Sequence, residues 1–134
     1  MKPINPESLG APRGYSNGIL APAGARTLYV AGQIAWDREC HFVSADFGEQ
    51  FAQALRNVLE VVREAGGRPQ DVAFLRIYVV DKHAYNARVK EVGKAYRELM
   101  GRHYPAMALV EVKSLLEDQA LVEIEAVAMI KEES

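Results

Sequence analysis

The sequence predicts an α+β domain in which a mixed sheet of four to six strands carries two helices on one face. Three observations carry this prediction. Residues 27–36, 71–81, 104–116 and 120–130 alternate with the period of two that places successive side chains on opposite faces of a strand. Two intervening stretches instead repeat apolar residues at helical spacing. Two helices can cover only one face of such a sheet, so the other must meet water or a second subunit.

Taken in chain order, residues 1–14 hold Pro3, Pro6, Pro12, Gly10 and Gly14 and read as an irregular leader within a single domain of 1–134. A short strand is expected at 15–20, ended by Pro22 and Gly24. The stretch 27–36, TLYVAGQIAW, is rich in β-branched and aromatic residues, and Gly32 within it marks a bulge or a close approach by a ligand or backbone. Phe51, Leu55, Val58, Leu59 and Val62 form one face of a helix that Asp46 and Glu49 start and Gly66-Gly67 stops. In 71–81, Ala73, Leu75, Ile77 and Val79 share one face, and Phe74, Arg76, Tyr78 and Val80 the other. A second helix carries the stripe Tyr85, Val89, Val92, Tyr96 and Leu99 and ends at Gly101. The last strand points Val122, Ile124, Ala126 and Ala128 inward, and Glu123, Glu125, Val127 and Met129 outward. The order is β-β-α-β-α-β-β, with room for one more strand at the N-terminus.

The strand opened by Pro105 is the ambiguous one. Its even positions, Ala108, Val110 and Val112, are small and apolar and are assigned to the core; Met107, Leu109 and Glu111 then fall on the uncovered face. There they would join Phe74, Arg76, Tyr78, Glu123 and Glu125. So much apolar area is a liability on a monomer, which points to a subunit interface with a polar site embedded in it.

Composition narrows the function. At 134 residues, 49% hydrophobic and 25% charged, the chain can bury a full core. A net charge of −2 with no clustered Lys and Arg excludes the footprint of a nucleic-acid binder. No apolar run approaches the length of a membrane span, and the N-terminus lacks the apolar segment of a signal peptide. The single Cys40 rules out an internal disulfide and fits a reducing cytoplasm. Cys40-His41 has no second pair at ligand spacing, with His83 and His103 distant in sequence, so no metal site is expected.

Several segments together, YSNGIL, LYVAGQIAWD, QALRNVLEVVREAGGRPQDV, YVVDKHAYNARVKEVGKAY and YPAMALVEV…ALVEIEAVA, resemble the RidA family, also called YjgF-like or L-PSP, over nearly the whole chain. The pieces AGQI, VEV and VEIEA in that order and spacing are the most specific. The resemblance implies a chorismate-mutase-like fold (bacillus type), a homotrimer, and a small-molecule site in the intersubunit cleft. It also implies hydrolysis of reactive enamines and imines to a 2-oxo acid and ammonia, with no metal or organic cofactor.

The chain departs from the family's deaminase motif at the carboxylate grip. The arginine expected there corresponds to Met107, a serine before the strand glycine to Ala31, a helix asparagine to Val89, and a cysteine to Leu109. Tyr15, Gly32 and Glu123 are kept. Glu123 is the candidate catalytic group, to carry protons or orient water; the alternative for it is an ion pair across the trimer. Tyr15, Gly32, Met107 and Leu109 are the candidate substrate-binding residues. Arg76 is a candidate replacement cation, weighed against an interface salt bridge to a glutamate such as Glu111. Three classes follow: a deaminase with an altered grip, a non-catalytic metabolite-binding or regulatory trimer, and, weakest for an acidic chain, a ribonuclease or translation inhibitor.

Overall fold

The computed structural model describes residues 1–132. Its elements are β1 (Lys2–Ile4), β2 (Gly18–Leu20), β3 (Arg26–Gln33), α1 (Phe47–Glu64), β4 (Val72–Val79), α2 (Lys82–Ala87), α3 (Val89–Met100), β5 (Ala106–Glu111) and β6 (Val122–Ile130). The main sheet runs β3-β6-β4-β5. β6 is antiparallel to both of its neighbours, and β5 lies parallel to β4. A parallel neighbour needs a crossover, and α2 and α3 supply it.

The leader is not irregular throughout. Lys2–Ile4 pairs antiparallel with Gly18–Leu20 as a separate ribbon, and a 3-10 turn occupies Glu7–Leu9. The second expected helix is broken in two at Arg88, whose guanidinium reaches Asp46 at 2.6 Å and Glu91 at 2.7 Å. That pair of contacts ties the start of α3 to the N-cap of α1, where the Asp46 carboxylate accepts from the Glu49 N–H at 3.0 Å.

The predicted stripe of α1 is buried against the sheet, with Leu55 and Leu59 packed in one cluster with Leu75, Val122 and Ile124. Buried Gln50 is fully satisfied: its amide donates to the Ser44 and Gln119 carbonyls, and its carbonyl accepts from the Leu121 N–H. These bonds fix the loop that delivers β6. Among the described residues no helix packs on the opposite sheet face, and Tyr29 on it is 79% exposed.

Candidate functional site

The register of β5 decides where the candidate residues point. Met107 pairs beside Leu75 and Leu109 beside Ile77, and both partners face the helices. Met107 and Leu109 therefore lie on the helix side. This corrects the assignment of Ala108 and Val110 to the core: Val110 is 41% exposed, and Ala108 sits beside Arg76 on the uncovered face.

Because β5 is the edge strand, α3 does not close over it completely, and a cavity of about 530 Å³ remains. Phe51 and Ile77 form part of its lining, with Met107 and Leu109. From α3 come Val89, Val92, Gly93, Tyr96 and Arg97, a single helical face. The segment Arg13–Tyr15 contributes a further wall. It is held there by Ser16, whose N–H donates to the Pro105 carbonyl at 3.1 Å and whose hydroxyl donates to the Tyr104 carbonyl at 2.5 Å.

Tyr96 and Tyr104 stack with centroids 5.7 Å apart and planes 9° from parallel. The Tyr96 hydroxyl donates to the His103 carbonyl at 2.6 Å. Burial, with the neighbouring Tyr104, pushes the Tyr96 phenol well above its usual range, so it stays neutral.

Glu123, Gly32 and Arg76 belong to the other face. Glu123 pairs beside Tyr78, and Arg76 beside Glu125, all on the uncovered side. A Cβ at Gly32 would collide with the Glu123 carboxylate, so the glycine makes the space in which that carboxylate lies. Gly32 also falls in the register shift between Val30 and Gln33, so it marks the expected bulge; what approaches it closely is a side-chain carboxylate, not the ligand or backbone anticipated.

Arg76 is already engaged. It reaches Glu125 Oε1 at 2.5 Å, and the Tyr78 hydroxyl donates to the same oxygen at 2.6 Å. The Tyr78 hydrogen bond first, and Arg76 second, hold the Glu125 carboxyl below the usual carboxylate range. The ion pair of Arg76 thus lies within one chain and uses Glu125, not the interface pairing with a glutamate such as Glu111 weighed from the sequence. Glu111 is beside Val79 and accepts from the Lys82 N–H at 3.0 Å, at the start of α2, so it does not share the face of Glu123 either.

One subunit therefore places the candidate residues in two groups on opposite sides of its sheet. Tyr15, Met107 and Leu109 line the cavity; Gly32 and Glu123 lie together behind it, with Arg76 occupied nearby. The sequence reading missed Arg97, Gly93 and Arg13, and took Tyr96 for core alone. The available signal was the spacing of Gly93 and Arg97 four and eight residues after Val89. No group of three or more His, Cys, Asp or Glu side chains among the described residues could hold a metal ion. No helix among them is long and apolar enough to cross a membrane.

Comparison with known proteins bears on this arrangement. The family model described as Endoribonuclease L-PSP matches residues 6–130. A RutC family protein of Pyrococcus abyssi is 34% identical, over 95% of this chain and 88% of its own. The human 2-iminobutanoate/2-iminopropanoate deaminase is 31% identical, over 90% of this chain and 82% of its own. Among solved structures, a conserved Rid-family protein of unknown function from Yersinia pestis superposes with a TM-score of 0.85 at 34% identity, covering 96% of this chain and 98% of that one. The Escherichia coli YjgF protein gives 0.67 at 29% identity, covering 93% and 92%. With the fold, the match across residues 6–130 and the relatives in agreement, the chain belongs to the endoribonuclease L-PSP family, known also as the RidA or YjgF family.

Proposed function

We propose that this protein hydrolyses a reactive imine or enamine in a cleft between the subunits of a homotrimer, with Glu123 as the catalytic group. One observation supports this reading above the others: the candidate residues fall into two groups on opposite sheet faces. A second copy that presents its Gly32–Glu123 face to the cavity would complete the site. The deaminase activity of the human relative points to the same chemistry.

In the proposed reaction, water adds to the C=N carbon and its oxygen becomes the new carbonyl oxygen. The C–N bond then breaks, and the nitrogen leaves as ammonia after taking up protons from water. No electron is gained or lost. Glu123 can take a proton from the water and return it to the nitrogen, and Gly32 leaves the space its carboxylate occupies.

Met107 cannot grip a carboxylate, so small imines should be turned over slowly. Loss of a charged contact costs about 2 kcal/mol, or roughly 30-fold. The test couples an amino-acid oxidase, fed a panel of amino acids, to trapping of the imine by semicarbazide. Added protein should lower the trapped imine for part of the panel, and Glu123→Gln should reduce that effect by about a hundredfold or more. A protein that consumes no imine in the panel is instead the non-catalytic metabolite-binding trimer, a reading favoured by the loss of the arginine at Met107.

A further inference from the structure

The cavity over β5 combines an apolar interior with charge of one sign. The charged residues that line it are Arg13 and Arg97, and no carboxylate joins them. Arg13 and Arg97, like Arg38, Arg56 and Arg102 elsewhere on the surface, form no ion pair among the described residues, so neither is neutralised where it lines the cavity. The cavity thus carries two free cations.

Arg97 has a prepared seat. Long side chains on a helix lean toward its N-terminus, over the residue one turn earlier. Here that residue is Gly93, and Arg97 Nη1 lies 3.1 Å from where a Cβ on Gly93 would stand. The guanidinium therefore folds back along the row of Val89 and Gly93, which faces the cavity. A glycine inside a helix costs about 1 kcal/mol relative to alanine, and this one clears the path of the arginine.

Size points the same way. On the single chain about 530 Å³ lies over β5, against ~30 Å³ for each water-sized group, more than a three-carbon acid fills. Tyr15, Tyr85, Tyr104, Met107 and Leu109 offer apolar and aromatic surface to a ligand tail.

We propose that the cavity takes a carboxylate with a bulky aliphatic or aromatic side chain, and that Arg97 grips the carboxylate from α3 while Arg13 adds charge nearby. Resting on the hydrolytic reading above, the substrates are 2-imino acids of that size and the products are the matching 2-oxo acids. Arg97 then sets specificity, because a guanidinium on α3 offers the paired donors that Met107 on β5 lacks.

Calorimetry with the product acids tests this without turnover. Phenylpyruvate and 4-methyl-2-oxopentanoate should bind about tenfold or more tightly than pyruvate, and uncharged phenylacetone about tenfold more weakly than phenylpyruvate. Arg97→Leu should lower affinity for phenylpyruvate by about tenfold or more, with Arg97→Lys recovering part of it. Gly93→Ala, which favours the helix yet crowds the guanidinium, should give an intermediate loss that unfolding cannot explain. Pyruvate binding as tightly as phenylpyruvate, or an Arg97→Leu protein of unchanged affinity, overturns the proposal while leaving imine hydrolysis standing. Arg97-dependent binding of bulky acids with no imine consumed overturns the hydrolytic reading alone.

Discussion

The two faces of the sheet are built from the same strands and do opposite things. On the helix side, β4 contributes Leu75, Ile77 and Val79 to a closed core that opens into a cavity only over the edge strand β5. On the uncovered side, β4 contributes Phe74, Arg76 and Tyr78 beside Val127, Glu125 and Glu123 of β6. The first face is concave and cationic at its free groups. The second carries Glu123 and Glu125, with Tyr29 and Val110 exposed on it. Each lacks what the other has, and one sheet cannot fold its two faces together. That complementarity is the physical case for a site shared between copies.

The largest expected effect comes from spoiling the uncovered face. Val127 lies beside Tyr29 on one side and Phe74 on the other, in the middle of that surface. Val127→Asp would place an unpaired carboxylate in the proposed interface, at a cost of several kcal/mol if buried there. The variant should keep its circular dichroism and fall from about three times the chain mass to the mass of one chain in light scattering. Imine hydrolysis should disappear with assembly. A variant that stays trimeric would place the interface elsewhere.

The contrast between β5 and β6 shows how much of this was legible in the sequence. β6 alternates buried aliphatic residues with Glu123 and Glu125, so its inner face could be read directly. β5 is apolar on both faces, and a period of two says which residues travel together, not which face they take. Small residues looked like core, but Ala108 and Val110 lie on the uncovered face, where bulky Arg76 and Tyr78 stand beside them. Met107 and Leu109 were correctly grouped and placed on the wrong side. The extra N-terminal strand that the sequence left room for could not be placed for a similar reason, since three residues become a strand only through a partner at Gly18–Leu20. The helix stripes and the Asp46 cap need no distant partner, and they were legible. Arg97 looked like ordinary solvent-facing charge until the backbone showed it folded over Gly93.

A middle-sized effect tests whether residue 107 meets the ligand. Met107→Arg restores a cation on β5, and from the helix side that side chain enters the cavity. No acid lines the cavity, so a compensating carboxylate must come from a second copy's uncovered face, where Glu123 stands. With that help, pyruvate or 2-oxobutyrate should bind about tenfold more tightly, and the gain should shrink with added salt. Combining it with Glu123→Gln should cancel most of the gain. A folded, trimeric Met107→Arg protein with no gain would separate residue 107 from the ligand site.

The smallest effect is a pH dependence that belongs to the uncovered face alone. Glu125 has its folded-state pKa lowered from 4.5, by the Tyr78 hydroxyl first and Arg76 second. A carboxyl with a depressed folded pKa contributes stability that is present above its unfolded value and lost as pH falls through its folded value. The contribution is therefore complete at neutral pH and fades below about 4.5. In an isolated chain these groups are largely hydrated and the effect should be slight; in the proposed interface they are screened less. Thermal unfolding across pH 7 to about 3.5 should show stability falling slightly on the acid side. Glu125→Gln should flatten that limb. Because the tyrosine is the larger cause, Tyr78→Phe should move the limb closer to 4.5 than Arg76→Leu does. An acid limb that is identical in Glu125→Gln would assign it to other carboxylates.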